Sequence, residues 1–99
     1  MLPSRVLQLA KQGNPSAIAA LISQALQSRG MIVQGGMKNG HLQLLVRAKD
    51  VPDPKQLVPF LYQGLVKLQP EAITMVKIYG QGANNNYVAW RRAIQLPVS

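Results

Sequence analysis

The chain has 99 residues, of which 47% are apolar and none is cysteine; eleven Lys and Arg against three acidic residues give a formal charge of +8. That length holds one modest core and leaves no layer for a buried two-part active site, while the apolar share excludes a disordered composition. The lack of cysteine excludes disulfide stapling and cysteine-based metal centres, and it fits a reducing, cytoplasmic setting. No stretch nears the ~20 apolar residues of a bilayer span, and "MLPSRVLQLAKQG" lacks the apolar core of a secretion signal, so no membrane role is expected. The expectation is a single small α/β interaction domain over 1–99. Its positive field attracts polyanions or acidic surfaces.

The first element, Pro3 to Gln12, is predicted as a short helix: Leu2, Val6 and Leu9 recur at helical spacing, and Gly13 ends it. Asn14-Pro15 then supplies an N-cap followed by proline at the first helical position. Ile18, Leu21, Ile22, Ala25 and Leu26 form the apolar face of this second helix, and Gly30 is its stop. Asn39-Gly40 marks a hairpin, because both residues tolerate the positive φ of a type I′ turn. After it, Leu42, Leu44, Val46 and Ala48 alternate with His41, Gln43, Leu45 and Arg47, the pattern of a sheet buried on one face. Before it, Met31 and Val33 suit the core, while Gly35 and Gly36 suggest a bulge or the close approach of another group.

Asp53-Pro54 starts a third helix, with Leu57, Leu61, Leu65 and Leu68 on one face. Pro59 within it predicts a kink or a short opening turn, and Gly64 a closely packed neighbour. A strand follows through "AITMVKIYG", with Thr74, Val76 and Ile78 inward and Ile73, Met75, Lys77 and Tyr79 outward. The stretch from Ala83 to Leu96 admits a terminal helix, a loop or a short edge strand; Tyr87, Trp90 and Ile94 have helical spacing. The fold class assigned is α+β, a mixed α/β sandwich in αα-ββ-α-β order. It has a three-stranded mixed sheet, helices on one face, and a C-terminal helical or irregular tail.

Such a sheet has a second face, made by Ile32, Gln34, His41, Gln43, Leu45, Arg47, Ile73, Met75, Lys77 and Tyr79. Three coverings compete: the chain's own tail through Tyr87, Val88 and Trp90, a second copy, or a single nucleic-acid strand. The leading reading is a non-enzymatic protein-interaction or self-association module, with a homo-oligomer or an acidic protein as partner. Its interaction residues are Leu45, Met75, Tyr79, Tyr87 and Trp90. The alternative is an RNA- or single-stranded-DNA-binding domain using Lys38, Gln43, Arg47, Lys77, Tyr79, Arg91 and Arg92. Tyr79 would then stack on a base and the cations would meet phosphates; stacking on one tyrosine supplies roughly 1–3 kcal/mol, so charge must supply the rest.

Catalytic, metal and cofactor sites are not expected. His41 stands alone beside the hairpin turn, and Asp50 and Asp53 read as turn and cap residues rather than an acid–base pair. Gly80-Gln81-Gly82 follows a strand, but Asn85 stands where a dinucleotide fingerprint needs its third glycine, and no Gly-Lys-Ser/Thr makes a Walker loop. A KH module needs two consecutive helices joined by Gly-x-x-Gly before its last strand; here one helix stands there, and the Gly36 to Gly40 stretch lies in a hairpin.

The combination "LAKQGNPSAIAALISQAL", "VPDPKQLVPFLYQGL" and "VKIYGQ…VAW" resembles a small α/β domain of unknown function that recurs in cyanobacterial proteins, often near the N-terminus of longer chains. The resemblance covers most of positions 9 to 96. It implies an intracellular accessory or interaction module, and it brings no catalytic or binding residues.

Overall fold

A computed structural model describes residues 4–97; Leu2 and Pro3, which the periodicity places in the first helix, lie outside them. The elements run α1 (Ser4–Lys11), α2 (Pro15–Leu26), a 3-10 turn (Gln27–Arg29), β1 (Ile32–Lys38), β2 (His41–Ala48), α3 (Pro54–Leu68), β3 (Met75–Gly82) and β4 (Trp90–Gln95). Both predicted caps form. Asn14 Oδ1 accepts from the Ala17 amide at 3.0 Å, Asp53 Oδ1 accepts from the Lys55 amide at 3.0 Å, and a proline opens each helix. Each cap satisfies an amide that the helix itself cannot, an interaction of about 1 kcal/mol. α3 runs without a break through Pro59.

Strand order is β1-β2-β3-β4. Asn39 (φ 54°) and Gly40 (φ 78°) turn β1 into β2, and the antiparallel register is continuous from Ile32–Arg47 to Lys38–His41, with no bulge. β2 and β3 are parallel, as α3 between them requires. Gly35 serves the predicted close approach: a Cβ there would strike the Pro15 carbonyl and crowd Ala19, so its absence lets α2 lie down on β1. Ser23 on α2 fastens the contact. Its hydroxyl donates to the Val33 carbonyl at 3.2 Å and accepts from the Val33 amide at 3.1 Å.

The core lies between helices and sheet. Val33, Leu42, Leu44, Val46, Val76 and Ile78 meet Ala10, Ile18, Leu26, Leu57, Leu61 and Leu65. Burying each larger aliphatic side chain contributes about 1.5–3 kcal/mol. The expected facing is corrected at two residues: Thr74, expected inward, is exposed, and Ile73, expected outward, is not. Ile73 is buried at 6% exposure, because β3 starts only at Met75 and Ala72 turns the chain through a left-handed conformation (φ 62°) just before it.

The expected three-stranded sheet with a helical or irregular tail is also corrected. Trp90–Gln95 pairs antiparallel with β3, from Gly80–Trp90 to Met75–Gln95, and adds a fourth strand. The Ala89 amide donates to the Gly80 carbonyl (2.8 Å) and the Leu96 amide to the Thr74 carbonyl (2.7 Å), holding both ends. Trp90, Arg92 and Ile94 stand on the helix side, opposite Gly80, Ile78 and Val76. A Cβ on Gly80 would fall inside the Trp90 indole, whose Nε1 donates to the Pro52 carbonyl at 2.7 Å. The indole thus ties β4 to β3 and to the start of α3.

This closure predicts a coupled pair. Trp90→Ala should cost about 2–3 kcal/mol in urea unfolding and Gly80→Ala about 1–3 kcal/mol. In the Trp90→Ala background the Gly80→Ala cost should fall below ~1 kcal/mol. Additive costs would contradict the packing.

Candidate functional site

Because Trp90–Gln95 is a strand at the sheet margin, no element of the described residues lies across the second face. The rows across that face follow from the register. Gln34, Leu45, Tyr79 and Arg91 form the central row, with Ile32, Arg47 and Gln81 on one side and Gly36, Gln43, Lys77 and Ala93 on the other. Lys38 and His41 lie at one end of β1 and β2. Directly opposed side chains across a ladder stand ~5 Å apart and diagonal ones ~7–8 Å. Tyr79 therefore has Arg91 beside it on β4, Arg47 diagonal on β2, and Lys77 two residues back on its own strand. Its ring is half-buried and its hydroxyl accepts from Gln43 Nε2 at 3.3 Å.

Charge on this face has one sign. Lys38, Arg47, Lys77 and Arg91 are spread over all four strands, and no strand contains Asp or Glu. The acids sit elsewhere: Asp50 and Asp53 between β2 and α3, and Glu71 between α3 and β3. Arg47 Nε and His41 Nδ1 are enclosed without a hydrogen-bond partner, so the fold leaves polar atoms on this face unused. Among the described residues no three His, Cys, Asp or Glu side chains gather as a metal site would require. No helix of the described residues is long and apolar enough to cross a membrane.

The sequence-derived candidates divide by face. Gln43, Arg47, Lys77, Tyr79, Arg91, Leu45 and Met75 share the open face, with Lys38 at its corner. Arg92 does not: it stands on the helix side with its guanidinium 5.9 Å from the Trp90 ring centre. Trp90 is likewise on the helix side, so it does not join Leu45, Met75 and Tyr79 in one patch. Tyr87 lies in the loop before β4, 66% exposed, and covers nothing on the sheet. Sequence reasoning missed Gln81, Ala93 and Gln95. Gln81 continues the alternation of Lys77 and Tyr79, but its two flanking glycines read as the end of the strand.

Comparison with family models, with curated proteins and with solved structures found no match. The site therefore rests on its own geometry.

Two copies meeting through this face would set four cations against four with no anion between them. The chain should sediment as a monomer at micromolar concentration in low salt. A low-salt dimer that Arg91→Glu weakens or leaves unchanged would contradict the charge argument.

Proposed function

We infer that this is a non-enzymatic binding module whose open sheet face takes a single strand of RNA or DNA. The supporting observation is the placing of Arg47, Lys77 and Arg91 around Tyr79 on a sheet face that lacks carboxylates. Single strands are held by basic surfaces that track phosphates and by aromatic rings on which bases stack. Tyr79 supplies the ring. Gln34, Gln43 and Gln81 supply amide donors and acceptors for base edges. The sequence alone favours self-association, but a same-sign face works against a face-to-face pair. An acidic protein is the second reading, favoured by Ile32, which is 64% exposed, and by Leu45 and Met75 on the same face.

Titrating a labelled oligouridine or oligothymidine at two salt concentrations separates these. With four phosphate contacts, the log–log salt slope for a single strand should be about −3. Tyr79→Ala should weaken binding by about 1–3 kcal/mol, and Arg92→Ala, on the opposite side, should leave it unchanged. No binding at low salt, or equal losses from Arg92→Ala and Arg91→Ala, would overturn the assignment.

A further inference from the structure

Among the described residues, the helix layer carries a second uncovered surface. α2 packs over β1 and α3 lies toward β4. Four strands at ~4.8 Å spacing put those margins ~14 Å apart, more than the 8–10 Å between the axes of two packed helices. The result is a groove of about 390 Å³ between α2 and α3, with α1 lending Leu7 and Lys11 to one wall. Its surface is almost wholly hydrocarbon, including Leu21, Ile22, Ala25, Phe60 and Leu68.

Among the described residues, the charged side chains in the lining are Lys11 and Lys67. They come from the last turns of α1 and α3, and the Glu71 amide donates to the Lys11 carbonyl at 2.8 Å, which brings those two helix ends together. The far end carries Phe60, with the Arg29 guanidinium 5.6 Å from its ring centre. Gly64 lies between the ends on α3. Glycine is a poor residue for a helix interior, and here the fold gives no reason for it: a Cβ at Gly64 would meet nothing within 4 Å. This overturns the expected close neighbour. What the missing side chain preserves is open space in the groove.

We propose that this groove binds one long-chain amphiphile with an anionic head, of the fatty-acid class, its carboxylate at Lys11 and Lys67 and its chain running past Gly64 toward Phe60. The volume is at the lower end for small-molecule sites, and the lining has the required makeup, an apolar body with a few placed polar groups. A peptide helix fits less well, because a single turn, ~10 Å across and ~5.4 Å long, would already fill the space. A second copy would bring its own lysines to these, and like charges would repel. The groove lies on the opposite side of the molecule from Tyr79, so this proposal stands apart from the nucleic-acid reading.

Calorimetric titration with sodium laurate below its micellar concentration tests it. The intact chain should show saturable binding of a single laurate and a raised unfolding temperature. Gly64→Leu should keep or raise the helical circular dichroism, weaken laurate binding by about tenfold or more, and leave oligonucleotide binding unchanged. Lys11→Glu with Lys67→Glu should lose a similar factor for laurate and gain affinity for dodecyltrimethylammonium, which has an alkyl tail of nearly the same length and the opposite head charge. Absence of saturable binding would overturn the proposal, as would equal affinity in a folded Gly64→Leu protein. Attachment to anionic phospholipid vesicles without uptake of free laurate would also overturn it, pointing to surface charge alone.

Discussion

The exposed sheet face depends on where one indole goes. Trp90 folds over Gly80 on the helix side and donates to the Pro52 carbonyl, so the segment after the Asn84–Asn86 loop must run beside β3 as its antiparallel neighbour. A chain committed to the sheet margin cannot also lie across the sheet. Among the described residues, the same closure that completes the helix side therefore leaves no element lying over Tyr79, Lys77 and Arg47. Gly80 is the complementary requirement, since any side chain there would occupy the space of the ring.

Two surfaces with different chemistry result. The sheet face carries charge of one sign, with Ile32, Leu45 and Met75 set among its cations, and suits a ligand that offers many negative charges along a line. The groove between the helices is concave and apolar, with its lysines at one end, suited to a ligand with a single charged end. Their separation follows from the sandwich, because the sheet lies between them. It also means that substitutions in one should leave the other intact, provided they spare the core shared by Ile18, Leu61, Val46 and Ile78.

The parts of the fold that were legible in the sequence are those set by neighbouring residues. Asn14-Pro15 and Asp53-Pro54 start helices by cap chemistry, Asn39-Gly40 makes its turn by backbone preference, and the alternation from His41 to Ala48 gives the two faces of β2. The parallel pairing of β2 and β3 was legible because a helix separates them. β4 was not. Tyr87, Trp90 and Ile94 satisfy a helical spacing, while Trp90, Arg92 and Ile94 equally satisfy a strand's alternation. The choice is made by the free edge of β3 and the space above Gly80, neither of which is local to the segment. For the candidate site, alternation alone identified Gln43, Arg47, Lys77 and Tyr79. Arg91 and Arg92 are adjacent, and only the register of β4 sends one to each face. The groove was invisible in the sequence because it arises from the distance between two helices.

Trp90 is the chain's single tryptophan, which makes the central claim directly measurable. Amide and indole chemical shifts should be followed while a short oligouridine is added at low salt. The account predicts movement at Gln43, Arg47, Lys77, Tyr79 and Arg91, with the Trp90 indole N–H in place because it faces Pro52 on the other side of the sheet. Shifts concentrated on α2, α3 and the Trp90 indole, with the Tyr79 row unmoved, would contradict it.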